Sequence, residues 1–373
     1  MGYEDLHKKA YDLLEKIWTE IKNISEEEIY RKRFLNDNLL IYNIRAIIRG
    51  RTKSFRYALL TQVLAKLANS SLNALALQRQ AGVPGAFDAR SFCRKVVVVF
   101  EREHLKGVLG NSDDPYVSKP LRHPLVSLDI IQHIKDKEGW KRLYHVLKIV
   151  QDRNDISFTE KVLRQILLEV RRVLREVEIS EEVPLSSSFI SAFKLKQIVD
   201  EFLSKPSEGA RAQAIIYALM RILNERTNTF NKIVSTKSTV ADEYAKRLVD
   251  IECFNSEGNL KIGIAVTENL DLRKLKEELD KAVRRKIKRL IIVAYRVKVN
   301  PETLHRIVEL YEVEYKIDII INSLTNFILL LTTLLNNRMR IQFLEEVRKV
   351  LNELGYIDHL LDWYKILKRQ NII

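Results

Sequence analysis

Glycine and proline are scarce in this chain of 373 residues, at 11 and 7. An all-β sandwich needs turn residues between many short strands, so that class is disfavoured and long helices are expected. There are only two cysteines, Cys93 and Cys253, too few for a disulfide framework or a structural zinc site. Long apolar runs are also missing. The most apolar stretch, residues 327–335, is too short to span a bilayer, and Asp318, Asn322, Ser323 and Asn326 interrupt the approach to it. The first nine residues are mixed polar, with no apolar core of a secretory leader. A soluble cytoplasmic protein with no membrane partner is the expectation.

What is present is charge. Lys and Arg number 63 against 49 Asp and Glu, a formal net charge of +14. Such an excess attracts polyanions, nucleic acid above all, although it also raises solubility with no partner. Dense Lys, Arg, Glu and Ile with few Gln and Met suit a thermophile. The hydrophobic share, 46%, is ordinary for a globular core and excludes bulk disorder.

The length fits two domains. Residues 6–24, 39–48 and 55–67 carry apolar residues at helical spacing, and Ser25 with Glu28 reads as a capping box. Residues 82–124 differ in texture. They hold four of the seven prolines and four of the eleven glycines, so the backbone there takes turns that the rest avoids. Within them Val96 to Phe100 is a β-branched run, a candidate buried strand or helix end. Helical spacing returns over 140–179. Residues 178–188 have linker composition, so the expected division is a helical part, 1–183, and a second domain, 184–373.

The second domain alternates. Helices are expected over 189–203 and 210–225. Strands at 248–254 and 260–266 flank a Gly258-Asn259 turn. A helix over 272–288, a strand at 290–295, a helix over 304–311 and a strand at 317–321 follow. The fold class is therefore α/β, rich in helix, with a mixed sheet flanked by helices. Residues 343–367 read as an amphipathic packing helix.

Helix, hairpin, helix, strand is also the skeleton of many metal-dependent nucleases. Their chemistry needs a divalent cation on carboxylates and a Lys or other base to activate water. An Asp ends the first hairpin strand, and a Glu-x-Lys pair on the second strand faces it, because i and i+2 share a sheet face. Here Asp250 is in place for the Asp, but Ala265 stands where the Glu is expected and Thr267 where the Lys is expected. Glu268 is adjacent but of the opposite parity. Glu252 with Asp250 would supply two carboxylates on one face without a base. The catalytic set Asp250, Glu252, Ala265, Thr267 and Glu268 is thus degenerate, with Asp250 the one remaining candidate metal ligand. A natural relic and a deliberate Glu-to-Ala change both remain open, as does the plain reading that Asp250 only begins a strand.

Three basic clusters are candidate phosphate contacts: Arg45, Arg49, Arg51, Lys53 and Arg56 around Gly50; Arg90, Arg94, Lys95, Lys119 and Arg122 in the Gly/Pro segment; and Arg284, Arg285, Lys286, Lys288 and Arg289. The alternatives are a solvated face for the first and dipole compensation at a helix end for the last. The seven histidines form no ligand pair, and His123 and His145 read as ordinary surface or core residues. No phosphate-binding loop, dinucleotide fingerprint or serine-nucleophile elbow occurs.

The chain resembles the SacI-type restriction endonuclease family, of the PD-(D/E)XK nuclease superfamily. The resemblance rests on residues 82–91 (GVPGAFDARS), 95–100 (KVVVVF) and 108–120 (VLGNSDDPYVSKP), and on 249–254 (VDIECF) as the first catalytic strand. Residues 264–268 (IAVTE) look like a decayed Ile-Glu-Val-Lys-Asp. It covers most of the chain, to about Trp363. The resemblance implies a restriction-endonuclease-like fold and DNA binding by a dimeric, magnesium-dependent enzyme. The departures at Ala265 and Thr267 put cleavage in doubt. The expectation is a catalytically inactive nucleic-acid binder, of DNA over RNA, in a restriction or antiviral defence system. The alternatives are an active magnesium-dependent endonuclease, or a protein-interaction subunit of a defence complex such as an Argonaute-associated protein.

Overall fold

A computed structural model describes residues 3–186, 189–207, 209–235 and 249–373. Ser187 and Ser188 of the expected linker, and Leu248 of the expected strand, lie outside the described residues. The chain divides into two compact units, Met1–Ile179 and Ser180–Ile373.

The first unit is helical: α1 (Tyr3–Lys22), α2 (Asn38–Ile48), α3 (Lys53–Ala68), α4 (Lys137–Arg153) and α5 (Ile156–Glu182), which runs on into the second unit. Helix α1 buries Leu6, Ala10, Leu14, Ile17, Trp18 and Ile21, one stripe at helical spacing. The stretch after Ser25 starts as expected, with the Ser25 hydroxyl accepting from the Glu28 N–H. Helix α3 is buried on all sides, the mark of a central helix.

The Gly/Pro segment is more regular than expected. Ala89–Phe92, a π-helical turn Cys93–Val97, Val98–Phe100 and a second π-helical turn Glu101–Leu105 follow one another without a break. The Val96 to Phe100 run is therefore helical, not a strand. Burial overrides its β-propensity: Val96, Val97, Val98 and Phe100 are all in the core, and Phe100 meets Tyr11 and Trp18 of α1 edge-on. Glu101 is also buried. It accepts from the Tyr57 hydroxyl and from the N–H groups of Gly110 and Asn111, and the Ser112 N–H donates to Tyr57. One carboxylate and one phenol thus pin the turn that follows. At the other end the Asn73 N–H donates to the Gly85 carbonyl.

The second unit holds a five-stranded sheet in the order β1 (Lys232–Ser235), β2 (Ile251–Phe254), β3 (Leu260–Leu270), β4 (Arg289–Val297), β5 (Asp318–Ser323). The first three strands are antiparallel, and β3, β4 and β5 are parallel. Strand β1 has no counterpart in the sequence reading. The parallel connections are α8 (Leu272–Arg284) and α9 (Pro301–Tyr315). Their apolar residues, among them Leu275, Leu279, Ala282 and Leu304, pack with Ala265, Leu290, Ile292 and Ile319 on one sheet face. Helices α6 (Ala192–Leu203), α7 (Ala210–Thr227), α10 (Leu324–Thr333), α11 (Asn337–Glu353) and α12 (Ile357–Arg369) complete the unit. The expected packing helix over 343–367 is two helices, parted at Gly355, whose φ is 64°.

Gly82 and Gly85 separate strain from crowding. Both have positive φ, 70° and 77°, but a Cβ on Gly82 meets nothing within 4 Å, whereas one on Gly85 would lie 2.2 Å from the Ser71 carbonyl oxygen. Gly82→Ala is expected to cost about 1 kcal/mol of left-handed backbone strain, and Gly85→Ala at least twice that. Urea denaturation of the two variants measures the difference, and equal losses would contradict the packing described for Gly85.

Candidate active site

The register of the hairpin decides which candidate residues meet. Ile251 pairs with Ile264 and Glu252 with Gly263. The pairing stops there, because β2 begins at Ile251 and Asp250 lies in the bend before it; continued one step, the register runs from Asp250 to Ala265. Strand alternation then puts Asp250, Glu252, Ala265 and Thr267 on the sheet face covered by α8, and Glu268 on the other. Glu252 is buried, and Thr267 donates its hydroxyl to the Asn269 carbonyl.

Asp250 is held from two sides. Its Oδ2 accepts the Val266 N–H at 2.6 Å. Its carbonyl accepts from the Ser235 hydroxyl at 2.7 Å and from Gln213 Nε2 at 3.2 Å, and Gln213 in turn accepts from the Tyr356 hydroxyl. Burial pushes its carboxyl up to about 6, against the downward pull of the Val266 N–H. Glu278 of α8 adds repulsion, and Lys274 and Lys281 offset it. Glu278 is buried and bound by the half-buried Lys274 at 2.7 Å and Lys281 at 3.2 Å.

Sequence reasoning missed that cluster and the Gln213–Ser235–Tyr356 clamp. Lys274, Glu278 and Lys281 do share a helix face by spacing, but the spacing alone does not say that this face turns to the sheet.

The donor set does not fit a magnesium ion. Position 265 offers Asp250 only a methyl group, Glu252 on the same face is buried, and the carboxylate of Glu278 is already neutralised by two ammonium groups. Among the described residues no three His, Cys, Asp or Glu come together as a metal site.

The expected phosphate contacts divide. Arg56 is corrected outright: it is 2% exposed, and its guanidinium donates to the carbonyls of Val108 and Gly50. It braces a turn and cannot face a phosphate. Arg45 and Arg49 are exposed but bound to Glu169 and Glu176 of α5. Arg90 is bound to Asp114, and Arg122 donates to the Val117 carbonyl. Lys53 is half-buried, with its stem beside Gly110. Arg51, Arg94, Lys95 and Lys119 are exposed.

In the third cluster α8 ends at Arg284, and Lys286 takes a left-handed φ of 55°, so the cluster lies at and beyond the helix end. Arg284, Arg285, Lys286 and Lys288 are exposed, and Arg289 binds Asp318. From Arg289 to Arg296 along β4 is roughly 20 Å. This cluster thus sits at the opposite end of the sheet from Thr267 and Glu268.

Comparison with known families decides the relationship. Residues 9–171 match the SacI restriction endonuclease N-terminal domain, and residues 186–295 match its C-terminal domain. The chain belongs to the SacI restriction endonuclease family. No curated protein matches it. The C-terminal match ends at the last residues of β4, so it contains the whole hairpin, α8 and the Asp250–Ala265 pair. Among the described residues no helix is long and apolar enough to cross a membrane.

The raised carboxyl of Asp250 has a stability consequence. Its folded pKa lies above its ordinary value of 3.8, so ionisation costs stability as the pH rises from about 4 to above 6, on the order of 2–3 kcal/mol. Asp250→Asn keeps an acceptor for the Val266 N–H and removes the charge. The variant is expected to be about 2 kcal/mol more stable than the parent at pH 8, with the gain gone at pH 4. Urea denaturation at both pH values checks this, and a loss at pH 8 would mean that Lys274 and Lys281 fully compensate the charge.

Proposed function

We propose that this family member binds nucleic acid, DNA in preference to RNA, and does not cut it. The observation that carries the reading is the β2–β3 register, which, continued one step past Ile251–Ile264, sets Ala265 against Asp250. In the nuclease frame the residue opposite the Asp supplies the second carboxylate, and a methyl group cannot. With no cation held there and no Lys at 267, neither the developing charge on phosphate nor the attacking water has its partner.

Binding needs none of these groups. Phosphate contacts use Lys, Arg and backbone donors, and Arg51, Arg94, Lys95, Lys119, Arg284, Lys286 and Lys288 are exposed. Membership of a restriction endonuclease family supports DNA as the polyanion, and supports a place in a restriction or defence system.

Incubation with plasmid DNA and Mg²⁺ or Mn²⁺ is expected to leave the DNA intact. Its affinity is expected to fall on the order of a hundredfold or more between about 50 and about 200 mM salt if about six phosphates are engaged. Replacing Arg284, Lys286 and Lys288 together by Gln is expected to weaken binding evenly across sequences and to lower the salt slope by up to about three. Metal-dependent cleavage that Asp250→Ala abolishes would overturn the reading.

A further inference from the structure

On the α8 side of β3 Ala265 and the lysine-bound Glu278 are buried and Asp250 is half-buried. Beyond them, at the end of the strand, a cleft of about 290 Å³ opens beside Val266, Thr267, Glu268 and Asn269, residues of both parities. It lies at the carboxyl ends of β3 and β4, where parallel α/β sheets leave room for ligands. The β3–β4 register continues from Thr267·Ala294 to Asn269·Arg296, so Glu268 and Tyr295 are side by side on the cleft's sheet wall. Ser204, Lys205 and Ser207, from the turn between α6 and α7, form the facing wall, and Ala212, Val266 and Leu324 give it an apolar lining.

Each component suits one part of a nucleotide. Tyr295 is 50% exposed at the end of a strand that is otherwise buried from Leu290 to Ala294. An aromatic ring left in solvent beside an apolar slot is a stacking surface for a base. Glu268 is exposed, with no cationic partner among the described residues. An ionised carboxylate only accepts hydrogen bonds, and it fits a base edge with two adjacent donors, the N1–H and 2-amino group of guanine. Arg296 is exposed and unpaired among the described residues, and Lys205 binds Asp362 at 3.2 Å. Together they place positive charge at the mouth, where a phosphate would lie.

We propose that this cleft binds a single unstacked guanine nucleotide, stacked on Tyr295, read by Glu268 and held at its phosphate by Arg296. In a strand, this rests on the nucleic-acid-binding reading above. The same chemistry would take free GMP, and the experiment separates the two sources.

The whole chain is titrated with fluorescein-labelled single-stranded DNA carrying one guanine in a thymine tract, and with the all-thymine strand. Tyr295→Leu is expected to weaken the guanine strand about tenfold, within the range for losing one base–aromatic stack. Glu268→Gln is expected to abolish the preference for guanine over thymine while leaving binding of the all-thymine strand unchanged. If both strands bind and neither substitution changes affinity or preference, the pocket assignment is overturned while the binding function stands. If neither strand binds, the function reading fails, and the pocket is tested alone by thermal shift with GMP, AMP and CMP. Stabilisation by GMP that Tyr295→Leu removes would then assign it to the free nucleotide. No stabilisation by any of the three would overturn it.

Discussion

The antiparallel register of β2 on β3 is the constraint from which the rest of the second unit follows. Ile251 against Ile264 cannot slip by one residue without exchanging the two faces of a sheet that is covered on both. That register sets Asp250 against Ala265 in a place shaped by Leu275, Leu279 and Ile292. A carboxylate there is expensive, and the structure answers in three ways. The Val266 N–H takes one oxygen, Gln213 and Ser235 hold the backbone, and Lys274 and Lys281 bring positive charge through α8.

A magnesium-dependent nuclease holds a cation near its Asp. Here the nearest positive charges are two ammonium groups that also neutralise Glu278. Lysines in this position lower the cost of the buried carboxylate but offer no open coordination position and no polarised water. The electrostatic need of the fold is met, and on the proposed reading the catalytic need is not. The net charge of +14 shows the same division between structure and surface. Arg45, Arg49 and Arg90 are bound to carboxylates of the first unit, and Arg56 is spent on two carbonyls. The cations that remain exposed, such as Arg94, Lys95, Lys286 and Lys288, are the ones open to a partner.

The hairpin was legible in the sequence because its signals are local. Gly258 takes the positive φ its turn requires, and the alternation on either side sets which residues face each other. The opposition of Asp250 and Ala265 followed from spacing alone. What stayed hidden depended on packing. Strand β1 is four residues long, too short for alternation to register. The valine run reads as strand by propensity but is wound into π-helical turns, because α1 and α3 need its side chains on one surface. Arg56 looks like its charged neighbours until the carbonyls of Val108 and Gly50 are seen around it. The inward turn of Lys274, Glu278 and Lys281 is likewise set by where α8 must place Leu275 and Leu279.

One residue of parity separates Thr267 from Glu268, although both border the cleft at the end of β3. Thr267 lies on the face closed by α8, where the nuclease frame would keep its base. Glu268 lies on the face that opens beside Tyr295 and the α6–α7 turn. If Ala265 and Thr267 stand for lost ligands, as proposed, their loss need not disturb Glu268, because neighbours along a strand point apart. The proposal therefore treats cutting and gripping as separable on this frame. On the proposed reading, a change on the α8 side would bear on what happens to a phosphate, and a change at Glu268 or Tyr295 on what is held.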